Sequence, residues 1–291
     1  MVKRIIFCSI IIFFVGCTSI TYKKNTNIST IKKDELKKLT KIISLIQNYY
    51  IEKIDIGKLI DLNKKYKTKD EVDSDLKKIM DKLDKYSVYI NSDVYNNYIK
   101  IKPFYSKIID NSNLYIKIPY FTKDTVNNLT QTIQKRDKKI KSIILDLRDN
   151  PGGLLNQGIR TVNLFVDKGL IVSKRGRDIF NVTKYKATKK STITSLPLVI
   201  LVNNNTASSA EIVSGALQDL KRATIIGEKT YGKGTIQALI YITENKKEAI
   251  KLTIAKYYLP SGRMIDNGIN PDVEVLDNQL AYVVKFLAFQ R

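Results

Sequence analysis

An α/β fold is predicted by three features of the sequence. Two nearly continuous apolar runs, "IKSIILDL" (140–147) and "PLVILVN" (197–203), have the length and composition of buried parallel strands. Each runs into a polar turn, Asp149 to Gly153 after the first and Asn203 to Ser209 after the second. Each turn then opens a stretch of helical spacing, 154–166 and about 209–220. Strand, turn and helix, repeated, is the pattern of a sheet with helices packed on it. In open parallel sheets ligands bind at the carboxyl ends of the strands, so both turns are expected on one functional edge.

The remaining elements follow in order. "MVKRIIFCSIIIFFVGC" places Lys3 and Arg4 before an apolar run from Ile5 to Val15, too short for a bilayer span of roughly 20 residues. It reads as a signal peptide over 1–16, and Phe14-Val15-Gly16-Cys17 resembles a bacterial lipobox in which Cys17 becomes the lipidated first residue. Acyl chains on Cys17 would anchor the protein to a membrane of the bacterial cell envelope, on a periplasmic or extracellular face. Cleavage there also removes Cys8 and leaves Cys17 alone, so no disulfide forms within the mature chain. Residues 17–33 are short polar side chains and lysine, the composition of a flexible tether.

From Asp34, a candidate N-cap, apolar residues recur at helical spacing: Leu36, Leu39, Ile42, Ile43 and Ile46, then Ile79 and Leu83. This predicts a small helical N-terminal subdomain over 34–100, with the core domain over 101–291. Within the core, "LYIKIPYF" (114–121) alternates as a strand and 123–138 has helical spacing. After Gly227 the pattern returns to strand, with "TIQALIYI" and "IKLTIAKYYLP". The 291 residues are enough for a full core, and 43% hydrophobic with 27% charged residues is ordinary for a globular chain. The net charge of +22, carried mostly by lysine, is not ordinary. Those lysines are scattered rather than clustered with aromatic residues, which argues against nucleic acid as a partner.

The stretch "NNNTASSAEIVSGALQD" (203–219) poses the chemical question. Ser208 and Glu211 fit the S-x-x-E capping box of a helix start. Ser208 also fits a nucleophile, because N–H groups and the dipole at a helix N-terminus favour charge developing on a substrate oxygen. The chain contains no histidine, so a Ser-His-Asp triad is excluded and the base must be a lysine or a carboxylate. Moving a lysine from about 10.4 to about 7.5 costs roughly 4 kcal/mol, which demands a dry, tightly built setting. "KTYGKGTIQ" (229–237) offers one, with Lys233 between Gly232 and Gly234 at the entry to an apolar strand. Spacing alone does not choose Lys233 from the other lysines, and residue patterns alone leave cap and nucleophile both open.

Four segments, "SIILDLRDNPGGLL", "LVNNNTASSAEIVSGALQD", "IIGEKTYGKGTIQ" and "YYLPSGRMIDNGINPDVEV", occur in this order and together resemble the C-terminal processing peptidases, or tail-specific proteases. "LIQNYYIEKIDIGKLI" and "LDKYSVYI" are similar to that family's N-terminal region. The resemblance implies an α+β, crotonase/Clp-like protease core with the small helical subdomain beside it. It implies Ser208 as nucleophile, Lys233 as general base and Gln237 as the residue orienting the lysine. Asp219 matches an acidic position near the dyad, and Glu211 or Thr206 would cover the helix-start N–H groups. The implied oxyanion hole is the backbone N–H groups of Ser209 and the Gly152-Gly153 turn. No cofactor or metal is implied. The family's usual PDZ domain, about ninety residues long, does not fit into the fifteen residues "IKIKPFYSKIIDNSN" that separate the helical region from the first core strand.

The expected function is therefore a membrane-anchored serine endopeptidase acting on unfolded or extended polypeptide. A peptide-binding lipoprotein, dependent on an adaptor or without catalysis, is the alternative. A basic surface binder has only net charge in its favour. An adaptor or a second copy of the chain stays open as a partner.

Overall fold

The protein, a computed structural model, is described over residues 33–61, 64–90, 104–136, 138–178, 182–244 and 248–290. The expected leader, Cys17 and nearly all of the tether lie outside these residues. The N-terminal part holds helices α1 (Lys33–Tyr49), α2 (Ile56–Leu59) and α3 (Lys69–Leu83) and the short strand β1 (Val88–Ile90). Then come β2 (Tyr105–Ile109), β3 (Asn113–Lys117), α4 (Thr125–Gln134), β4 (Ser142–Asp146) and α5 (Leu155–Asn163). They are followed by β5 (Leu170–Gly176), β6 (Val182–Lys186), β7 (Leu198–Val202), α6 (Ser209–Asp219) and β8 (Thr224–Gly227). The chain closes with β9 (Thr235–Tyr241), β10 (Ala249–Tyr258), β11 (Val273–Glu274) and α7 (Gln279–Phe289).

Two sheets result. The larger has the order β11-β8-β7-β4-β3-β2, parallel throughout except for β2, which runs antiparallel at the edge. Alternation along its strands sets the layers. Ile143, Leu145, Ile200 and Val202 face a core shared with Val126 and Leu129 of α4, Val162 of α5 and Ile212 of α6. Ile144, Val199 and Leu201 face the opposite way, onto Val283 and Leu287 of α7. Both faces are covered, which is why β4 and β7 read as unbroken apolar runs. The mixed α/β architecture agrees with the fold class the sequence predicts.

In the second sheet β10 is central: β9 lies along one side of it, and β1 and β5 pair with it at different points, with β6 beyond β5. Among the described residues the helical N-terminal region shares its core with this sheet. Ile42, Ile46, Leu76 and Ile79 pack with Ile250 and Leu252 of β10 in one cluster. Strand β1 adds to the same strand in register, Tyr89 opposite Ile250. The buried Lys38 ammonium lies 2.7 Å from Glu35, 2.8 Å from Asp73 and 3.5 Å from Glu248, tying α1 to α3 and to the entry of β10. Asp34, expected as the N-cap, falls instead inside the first turn of α1, where its charge still suits the helix dipole.

Because Leu76 is fully buried in the shared cluster, Leu76→Ala should cost about 2–5 kcal/mol of stability. Denaturant unfolding should nevertheless remain a single transition. Two resolved transitions would show that the helices fold separately from the sheets.

Candidate active site

The two turns singled out in the sequence do meet, because β4 and β7 are parallel neighbours with Asp146 opposite Leu201. The turn after β4 is organised by Asn150, which is fully buried. Its side-chain oxygen accepts from the Gly152 N–H at 2.8 Å, and its amide donates to the Ile118 carbonyl at 2.7 Å. Its carbonyl oxygen accepts from the Ala207 N–H at 2.9 Å, which fastens the first turn to the residue preceding Ser208. Contact is close enough that glycine is required. A Cβ on Gly152 would stand 2.8 Å from the Ser208 Cβ, and one on Gly153 would strike the Phe121 backbone. Both glycines also have positive φ, +106° and +137°.

Ser208 sits half-buried at the join of β7's turn and α6, with φ 58° and ψ −119°. A residue with a Cβ rarely adopts this conformation, and holding it costs on the order of 1–3 kcal/mol. Ser208 and Glu211 form a reciprocal capping box, and the Glu211 N–H also reaches the Ser208 carbonyl oxygen at 2.9 Å. With that carbonyl as a second acceptor, the serine hydroxyl can leave the capping box without orphaning the Glu211 N–H. The glutamate closes the other half of the box, its Oε2 accepting from the Ser208 N–H at 2.8 Å.

The Glu211 carboxylate does more than cap. Fully buried, it takes the Lys233 N–H on the same Oε2 at 2.8 Å. Its Oε1 accepts from the Gly232 N–H and from the Thr230 hydroxyl, each at 2.6 Å. Burial pushes its carboxyl up, and the four donors pull it back. One carboxylate thus clamps the helix start carrying Ser208 to the loop carrying Lys233. The Tyr231 N–H reinforces the join by donating to the Thr206 carbonyl at 3.0 Å.

Lys233 is half-buried, and burial lowers its ammonium pKa below the ordinary lysine value. The neighbouring Lys251 charge acts in the same direction, and the Glu211 charge opposes them. Gln237 lies on β9, where it donates at 2.8 Å to the Thr235 hydroxyl and at 3.2 Å to the Thr253 hydroxyl. Both of its N–H donors are thereby in use.

Three expectations change. The Gly152 N–H is committed to Asn150, so the oxyanion-hole expectation narrows to Gly153 and Ser209, whose N–H groups donate to nothing among the described residues. Thr206 does not cover the helix start: its hydroxyl donates to the Leu147 carbonyl at 2.9 Å and accepts from the Asn203 N–H at 3.0 Å. Asp219 is not brought to the site. It lies at the far end of α6, about 16 Å along the helix at 1.5 Å per residue. There it pairs with Arg263 at 2.8 Å and accepts from the Ser261 N–H at 2.9 Å. Sequence reasoning also passed over Asn150 and Thr230, both inside segments it had quoted. Among the described residues no group of three His, Cys, Asp or Glu side chains is placed to share a metal ion.

The description "Peptidase family S41" matches residues 113–275, more than half of the 291 residues and the whole of the site just described. The carboxy-terminal-processing protease of Bartonella bacilliformis is 44% identical over 167 residues, 55% of this chain and 38% of that protein. The carboxy-terminal processing protease CtpA of Bacillus subtilis is 39% identical over 178 residues, 60% of this chain and 38% of that one. The chain thus matches well under half the length of these relatives. Among solved structures, the photosystem II D1 C-terminal processing protease superposes with a TM-score of 0.70 at 19% identity, over 85% of this chain and 94% of that one. A lipoprotein from Streptococcus agalactiae gives 0.70 at 17% identity, over 91% and 100%. These two share the fold. On the extent of the match and the residues it carries, the chain belongs to peptidase family S41.

Proposed function

We propose that the protein is a serine endopeptidase in which Ser208 is the nucleophile and Lys233 the general base. The observation that carries this reading is the single buried oxygen of Glu211 that accepts from the N–H of both residues, beside a serine held in a strained turn. Neutral Lys233 takes the Ser208 proton as the hydroxyl attacks the peptide carbonyl. The N–H groups of Gly153 and Ser209 receive the developing oxyanion. Lys233 then protonates the leaving amine, and water releases the acyl group from Ser208. With both N–H donors of Gln237 in use, its carbonyl oxygen is the atom that suits holding an ammonium.

Exposed Leu154 and Tyr231 flank the site and suit the side chains of an extended polypeptide. Strand β9 pairs only with β10 among the described residues, so its outer edge can accept a peptide as an added strand. The printed names of the relatives point to processing near a carboxyl terminus. The lipobox at Cys17 supports attachment to a membrane of the cell envelope, and the streptococcal lipoprotein with the same fold is in keeping with it. Among the described residues no helix is long and apolar enough to cross a membrane.

The test is degradation of casein by the full chain beside Ser208→Ala and Lys233→Ala. Each variant should lose about 10³-fold or more in kcat/KM while keeping the parental circular dichroism. Equal cleavage by parent and Ser208→Ala would reject the assignment, and a folded but inert parent would favour the peptide-binding lipoprotein. The base must be neutral to act, so parental kcat/KM should rise with pH through the Lys233 titration, with its midpoint below 10.5. Glu211→Gln removes the charge and turns an amide NH₂ toward N–H donors. It should lower kcat/KM by about 10–100-fold and cost about 1–3 kcal/mol of stability, read by denaturant titration.

A further inference from the structure

The loop between α3 and β1 reaches into the site from the helical region. Its Asp84 carboxylate closes a tight turn, accepting from the N–H of Tyr86 at 2.7 Å, the N–H of Ser87 at 3.0 Å and the Ser87 hydroxyl at 2.8 Å. The same carboxylate accepts at 3.2 Å from the hydroxyl of Thr253, which is buried on β10. Ser87 in turn accepts from the Thr253 N–H at 3.1 Å. Thr253 lies opposite Gln237 in the β9–β10 ladder and receives its amide. A turn from the N-terminal region is therefore latched to the strand pair that continues from Lys233.

Latching fixes where Tyr86 goes. Its ring centroid stands 5.3 Å from the Lys233 Nζ, within range of a cation–π contact. Lys85 lies on the outer side, 4.9 Å from the Tyr86 ring and 5.3 Å from the Tyr231 ring. The charged and titratable groups facing Lys233 are thus Tyr86 with Lys85 behind it from the turn, Glu211 from α6 and Lys251 from β10.

We infer that Tyr86 is a positioning residue of the active site, its ring covering the Lys233 side chain and keeping water from it, so that the helical region completes the catalytic centre. This rests on Lys233 being the base. Two effects of the ring oppose each other. A cation–π contact favours the ammonium by a factor of about 2–5 at an exposed site and about 30 where water is excluded, whereas burial disfavours it by up to several powers of ten. Burial is the largest influence on Lys233 and leaves its ammonium below the ordinary value with the ring in contact, so loss of the ring should return Lys233 toward an ordinary lysine.

Two readouts test this on the full chain. In kcat/KM for casein against pH, Tyr86→Ala should be down about tenfold at neutral pH, with the deficit closing as pH rises. Tyr86→Phe keeps the ring and should follow the parent. A deficit constant across pH, no deficit, or a Phe variant as impaired as Ala would overturn the inference, since a merely structural role lowers activity at every pH alike. Independently of turnover, the Cε resonance of Lys233 in 13C-lysine protein, assigned with Lys233→Arg, should titrate at higher pH in Tyr86→Ala than in the parent. An unchanged or lower midpoint overturns the inference whatever the activity shows. Parental cleavage by Lys233→Ala would remove the base assignment instead, and the inference with it.

Discussion

One buried carboxylate organises this molecule's candidate site. Burying a charge costs several kcal/mol unless hydrogen bonds replace the water it loses. Glu211 recovers that cost with four donors from two segments that are distant in sequence. Because neither segment supplies enough donors alone, the carboxylate is satisfied only when the start of α6 and the 230–233 loop are both in place. The strained backbone at Ser208 persists on that account. A charge-assisted N–H bond at the residue itself opposes relaxation of the turn, and the Asn150 carbonyl pins the residue before it. The sequence has no histidine, and Ser208 and Lys233 are joined through their backbone N–H groups on one carboxylate.

The sequence pattern S-x-x-E offered two meanings, cap and nucleophile, and the structure shows that they are compatible. The box is reciprocal, but the Ser208 carbonyl gives the Glu211 N–H a second acceptor, so the serine hydroxyl can leave without orphaning a donor. The local motif was legible, but its long-range partners were not, because nothing in the spacing of residues 208–211 indicates that Thr230, Gly232 and Lys233 fold back onto it. The strands β4 and β7 were legible for a simple reason: burial on both faces leaves no polar position to interrupt the apolar run. Strand β6, largely exposed, and β11, two residues long, carry no comparable signal.

Two of the changed expectations were recoverable from elementary geometry. A helix predicted over about 209–220 already puts Asp219 a helix length from Ser208, so likeness of position was followed where rise per residue should have decided. The Asn150-Pro151-Gly152 order is that of an Asx turn, in which the asparagine oxygen takes the N–H two residues on. That N–H was therefore spoken for before any oxyanion could claim it. The packing of the helical region onto the second sheet was not legible in the same way. Helical spacing shows that α1 and α3 are amphipathic, but not that their apolar faces close onto β10.

The large positive charge enters this picture only locally. At physiological ionic strength charges beyond about 8 Å are largely screened, so lysines scattered over the surface do not tune Lys233. Lys251 does, because it is near and the space between is partly dry, and it pushes in the same direction as burial. Glu211 pushes back, so the clamp that brings Lys233 to Ser208 also favours the ammonium, the form unable to accept a proton. A site built this way has to exclude water from the lysine by other means, and the Tyr86 ring of the N-terminal turn stands over it. The docking of the helices on β10 and the protonation state of the lysine are therefore two aspects of one constraint: the region that looked like an accessory in the sequence closes the side of the site that the protease core leaves open.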